Sequence, residues 1–123
     1  MSVKFLAQHP TLGISCIDQS KQFYGDTLGF HLEFVWGEPN FYMGFSANGL
    51  EFHLSTHHLG VGTGTLYFEV DDVQTFYDAV VSRGGVPSSA PTNQPYGMKD
   101  FDIKDADGNT IGFGQRVGET PGN

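Results

Sequence analysis

The 123-residue sequence contains one cysteine, six basic side chains and one tryptophan. Each scarcity excludes something. Cys16 alone cannot close an internal disulfide, which suits a reducing compartment. Six Lys and Arg stand against 14 Asp and Glu, a net charge of −8. A phosphate backbone would be repelled, so nucleic acid is excluded as a partner. The same charge would draw in a cationic small molecule if carboxylates point into a cleft; equally, it serves solubility alone. No stretch approaches the ~20 apolar residues of a membrane span, and the N-terminus lacks a basic-then-apolar signal pattern. The expectation is a cytoplasmic protein with no membrane partner. No Pro/Ser-rich linker or charge run interrupts the chain, so residues 1–123 are expected to form a single domain.

What the sequence does have is 11 Phe, 5 Tyr and 17 Gly, an aromatic core cut by many turns. Alternation predicts a first strand near His9 to Ser15. Asp18 is placed to cap a helix running to about Leu28, with Gly29 as its stop. Strands follow over Phe30 to Trp36, Phe41 to Ser46 and Leu50 to Ser55, the last two joined by an Asn48-Gly49 hairpin. After a loop from His57 to Gly64 the pattern restarts. Thr65 to Val70 alternates, and Asp71 or Asp72 caps a helix that ends at Gly84-Gly85. Weak strand character surrounds Val86, and strands at Phe101–Ile103 and Ile111–Phe113 flank a turn at Asp105–Asn109. Each half reads strand, helix, three strands, which suggests an internal duplication. The modules span about residues 5–56 and 64–115, with a fraying tail over 116–123.

Parity sorts the strands into two faces. Leu12, Ile14, Leu50, Phe52, Leu54, Leu66, Phe68, Val70, Ile111 and Phe113 share one, which should pack under the helices. The other carries His9, Thr11, Glu51, His53, Thr65, Tyr67, Glu69 and Gly112. That polar face is a solvent face in a flat sheet and a ligand-lining concavity in a curled one. Phe34 reads as core. Trp36, Tyr42, Tyr67 and Tyr96 are either ordinary half-buried residues or rings that stack on a planar ligand.

Three segments carry a family likeness. Phe23-Tyr24-Gly25-Asp26-Thr27-Leu28-Gly29-Phe30 resembles the FYxDxLGF signature of the vicinal-oxygen-chelate superfamily, which groups glyoxalases, bleomycin-resistance proteins and dioxygenases. Gln94 to Phe101 and Asp105 to Asn109 are similar to the QPWGxxEF and DPDGN segments of its bleomycin-resistance branch, with Tyr96 for Trp and Ala106 for Pro. Glu69 to Val73 matches the entry to the second helix. The resemblance spans roughly residues 9 to 115. It implies an α+β fold of two βαβββ modules, with curled mixed sheets forming a cleft. It also implies a homodimer that exchanges the N-terminal strand, each cleft drawing on both chains.

Enzymes of that superfamily hold a divalent metal on the cleft face. Carried over, the four ligand positions fall on His9, His53, Thr65 and Gly112. Only two of these are good ligands, and a catalytic metal needs about three. No metal is therefore favoured; one that did bind would use His9 and His53 with Glu51 or Glu69. The glycine run Gly60–Gly64 precedes a strand rather than a helix, so it lacks the architecture of a phosphate loop. His57 and His58 read as solvated, and Asp100 as a surface residue.

The leading expectation is a metal-free binding protein, similar to the bleomycin-resistance branch and so tied to antibiotic resistance. It would sequester a cationic aromatic small molecule in a cleft lined by His9, Trp36, Tyr42, Glu51, His53, Thr65, Tyr67, Glu69 and Tyr96. The alternative is a metal-dependent lyase, isomerase or dioxygenase, and a third reading is a stand-alone domain for an unrelated ligand.

Overall fold

Eight strands assemble into two four-stranded sheets of the same topology. In the computed structural model, which describes residues 2–57 and 60–118, β1 (Thr11–Gly13), β2 (His31–Trp36), β3 (Tyr42–Ala47) and β4 (Leu50–Ser55) lie in the order β1-β4-β3-β2. β5 (Thr65–Glu69), β6 (Thr92–Asn93), β7 (Met98–Lys104) and β8 (Thr110–Arg116) lie in the order β5-β8-β7-β6. In each sheet the first strand pairs parallel with the fourth, so a helix must carry the chain across. The architecture is the expected α+β pair of βαβββ modules.

The first crossover, α1, is α-helical over Ile17–Ser20 and π-helical over Lys21–Thr27. Cys16 occupies the N-cap position, not Asp18, which lies in the first turn where its charge still suits the helix dipole. The wider π register bonds the Leu28 N–H to the Phe23 carbonyl, and the helix closes at Gly29 with φ +85°. The second crossover, α2 (Val73–Ser82), is capped by Asp72, whose carboxylate accepts from both the N–H and the hydroxyl of Thr75.

Both helices cover a single core. Phe30 touches Phe52 of the first sheet and Phe68 of the second, with ring centroids 5.0 and 5.2 Å apart, and Phe68 stacks on Phe113 at 5.7 Å. A polar network, buried at Tyr24 and Asn109, ties the modules together. Tyr24 donates to Asp105 at 2.7 Å, Asn109 donates to the Gly13 carbonyl at 2.8 Å, and the Ser15 N–H donates to Asp107 at 3.0 Å. The predicted Asp105–Asn109 turn is thus also the bolt between the halves. Because the core lies between the sheets and helices, the opposite face of each sheet is left open.

Four expectations change. Phe34 is not core. One residue, Glu33, is extra between the pairs Leu32↔Phe45 and Phe34↔Gly44, and this bulge turns Phe34 and Trp36 to the open face. Leu50 is 56% exposed at the hairpin rather than buried. Val86 is exposed and outside any strand; the first strand after α2 is β6. The expected tail begins with Arg116, which ends β8, and 119–123 lie outside the described residues, as does His58.

Candidate functional site

On the open face of the first sheet, register brings together Thr11 of β1, Gly44 of β3 and His53 of β4. Gly44 is needed there: a Cβ would lie 2.4 Å from the Phe34 ring seated above it. Phe34 and His53 meet in a T-shaped contact with centroids 5.3 Å apart. His53 is nearly buried, and both of its ring nitrogens are engaged. Nδ1 lies 2.8 Å from the Tyr42 hydroxyl and Nε2 lies 2.7 Å from Glu51 Oε2. An ionised carboxylate only accepts, so Nε2 carries a proton toward Glu51, and in the neutral imidazole Nδ1 then accepts from Tyr42. His9, just before β1, stacks on His53 with centroids 4.7 Å apart and rings 5° from parallel, and its Nδ1 is 3.7 Å from Glu51 Oε2. Trp36 stands 64% exposed at the end of β2, edge-on to Phe41.

One ligand atom each from His9, Glu51 and His53 lies within 4.8 Å of the others. Two imidazoles and one carboxylate form a donor set that zinc or iron(II) accepts, so these residues fit a divalent metal in number and type. Glu69 is not brought to the histidines. It sits in the second sheet, paired with Arg116 at 3.1 Å. Thr65 and Gly112 also lie in the second sheet, paired with Thr110 and Tyr67 respectively.

The open face of the second sheet has its own centre, Asp100 of β7. Tyr67 lies across Gly112 and Gly114, where any Cβ would collide with its ring or hydroxyl. Its hydroxyl donates to Asp100 Oδ2 at 2.9 Å, the Tyr96 hydroxyl donates to the same oxygen at 2.7 Å, and Gln94 Nε2 donates to Oδ1 at 3.1 Å. Desolvation, then the bond to Asp100, pushes the Tyr67 hydroxyl well above the ordinary tyrosine range. The bond to Asp100 leads the same upward shift at Tyr96.

The nine expected lining residues therefore divide. His9, Glu51 and Tyr67 line a hollow of about 510 Å³ between residues 6–10, β4 and β5. Tyr42 and His53 are coupled to it through hydrogen bonds to each other and to Glu51. Thr65, Tyr67 and Tyr96 line a second hollow of about 240 Å³ beside Asp100. Trp36 stands apart at the far end of β2, and Glu69 is held by Arg116. A hollow of about 590 Å³ beside Lys21, Asp26 and His31 contains none of the nine. Sequence reading missed Phe34, Gln94 and Asp100. For Asp100 a signal existed: it stands across from Gly114, one of two alternate glycines in β8 that leave room above the sheet.

Several solved structures share this architecture. The antibiotic-binding protein TnmS3 from Streptomyces sp. CB03234 superposes with a TM-score of 0.80 at 25% identity, over 94% of this chain and 98% of that one. A glyoxalase/bleomycin resistance protein from the same Streptomyces gives 0.73 at 26% identity, over 85% and 96%. A glyoxalase/bleomycin resistance protein/dioxygenase from Nocardioides gives 0.74 at 18% identity, over 99% and 91%, a likeness of fold alone. Among curated proteins no sequence matches. The family model of the Glyoxalase/Bleomycin resistance protein/Dioxygenase superfamily matches residues 7–113, nearly the whole chain, and the chain belongs to that superfamily.

Proposed function

We propose that this protein is a metal-free binding protein that sequesters a cationic, aromatic small molecule, in clefts completed by a second copy of the chain. The observation that carries this reading is the pairing of exposed aromatic rings with carboxylates on faces turned away from the core. Trp36, Tyr67 and Tyr96 are 64%, 47% and 63% exposed, and Glu51 and Asp100 lie on the same faces. Rings offer stacking and cation–π attraction, and carboxylates select positive charge. The likeness to an antibiotic-binding protein supports the same reading, including a role in antibiotic resistance. A partner chain laid over these faces would cover their exposed rings.

The test uses Trp36, the sole tryptophan, as its reporter. Aminoacridine, a planar aromatic cation, should quench its emission saturably at one site per chain, and should be recovered chemically unchanged after incubation. Absence of saturable quenching, or conversion of the probe, would overturn the proposal.

A second reading is favoured by the His9, Glu51 and His53 cluster. These side chains would hold a divalent metal, which when bound supplies a Lewis acid for vicinal oxygens of a substrate. Within the chain, Tyr42 would fix the His53 ring through Nδ1, leaving Nε2 to a ligand in exchange for its bond to Glu51. Metal analysis after loading with zinc, nickel, iron(II) or manganese and desalting decides it. Stoichiometric metal that disappears in His9→Ala establishes this reading; no retained metal removes it.

A further inference from the structure

We infer that Asp100 is the anionic centre of a cation-recognition subsite on the second sheet, framed by Tyr67, Tyr96 and Gln94, that takes the ammonium or protonated amine of an aromatic ligand. The inference rests on the ligand-binding reading and assigns the charge selection to one carboxylate.

Asp100 is 8% exposed, yet no basic side chain forms an ion pair with it among the described residues. Its neighbour Lys99 points to the other face by strand alternation, and Arg116 is held by Glu69. A carboxylate this buried costs a great deal of free energy unless its acceptor sites are filled. Here they are filled by three neutral donors, two phenols and one amide. Neutral donors satisfy the oxygens and leave the charge uncompensated. A carboxylate offers about four acceptor positions, so one remains, on the Oδ1 side that holds only Gln94.

The adjoining hollow, about 240 Å³, suits a charged head and its attached carbons. It is too small for a whole drug-sized ligand, whose pockets run from about 300 Å³ upward. The two tyrosines keep their rings partly exposed while their hydroxyls are tied down, so each ring keeps an outward face available to a cation. Glu51 is a poorer anchor, because His53 already donates to it and His9 stands 3.7 Å away.

A purely structural role, with Asp100 pinning the Gln94–Tyr96 turn onto the sheet, is separated from recognition by two probes and two variants. Aminoacridine is cationic, and acridine is its neutral counterpart at mildly alkaline pH. Binding is followed by the fluorescence anisotropy of each probe. Wild type should prefer aminoacridine by about tenfold or more, the worth of one charge-assisted hydrogen bond. Asp100→Asn should erase that preference while acridine binding stays within about twofold. Gln94→Lys leaves the carboxylate in place and delivers an ammonium to it; it should erase the preference too, and it serves if Asp100→Asn fails to fold. Equal loss of both probes in the folded variants would mean a structural staple and overturn the subsite. Unchanged preference in Gln94→Lys would overturn it as well. In either case the ligand-binding reading stands. Failure of both probes to bind wild type would overturn that reading and this inference with it.

Discussion

At the scale of single residues, polar atoms are placed where burial would otherwise be most costly. Tyr24 is fully buried in the core, and its hydroxyl donates to Asp105, which also accepts from the Asp107 and Asn109 N–H groups and the Asn109 amide. Burial, reinforced by the Asp105 charge, holds the Tyr24 phenol far above its ordinary pKa. In the unfolded chain that phenol loses its proton near pH 10, about the model-peptide value. Above that pH the unfolded state binds fewer protons than the folded one, so stability falls as pH rises. Urea melts should therefore show no pH dependence from Tyr24 below about pH 10 and a steep loss of stability above it. Tyr24→Phe should shallow that alkaline loss and cost about 1–2 kcal/mol at neutral pH, where a buried acceptor loses its donor. Equal alkaline slopes in the two proteins would contradict the assignment. The Tyr67 phenol offers a parallel case. Gly114→Ala would put a Cβ where the Tyr67 hydroxyl now lies, at the mobile end of a side chain. The variant should fold, and ultraviolet titration should show a tyrosine returning toward the ordinary range.

At the scale of elements, what could be read from sequence depended on how regular each strand is. β4 and β5 alternate without interruption, and parity alone sends Glu51, His53, Thr65 and Tyr67 away from the core, as the register has them. In β2 the same rule failed halfway, because a bulge residue is indistinguishable in sequence from any other polar position. Asp100 was missed for a different reason. Its environment is made by Tyr67, 33 positions away, and by glycines whose importance lies in what they omit. The bulge itself can be tested. With Glu33 as the extra residue, its deletion leaves Leu32 facing the core and Phe34 and Trp36 facing outward, and removes only the Glu33–Ser46 bond. The deletion variant should remain folded with an unchanged Trp36 emission maximum. In a strictly alternating strand the same deletion would turn Trp36 into the core and shift its emission to the blue.

At the scale of the molecule, the two modules share one core but build two sheets, and residues 2–10 lie outside either sheet. Phe113 shows the sharing: its ring contacts Phe30 of the first module and Phe68, Phe76 and Phe101 of the second. Phe113→Ala should therefore cost about 3–5 kcal/mol in a single cooperative transition, and two separate transitions would show independent modules. The N-terminal segment makes the opposite prediction. Phe5 and Leu6 are 88% and 90% exposed, so they contribute almost nothing to the chain's own core. Burying each against a partner would contribute about 1.5–3 kcal/mol to association. In the proposed dimer Phe5 and Leu6 pack on the second copy, while His9 stays stacked on His53 of its own chain at the edge of the shared cleft. The double variant Phe5→Asp, Leu6→Asp should then keep its melting temperature as a folded chain, scatter as a monomer where wild type scatters as a dimer, and bind aminoacridine at least tenfold more weakly. A wild type that scatters as a monomer at binding concentrations would remove the composite cleft. A variant that stays dimeric would place the interface elsewhere, because charge on two exposed apolar residues can disrupt only the surface that buries them.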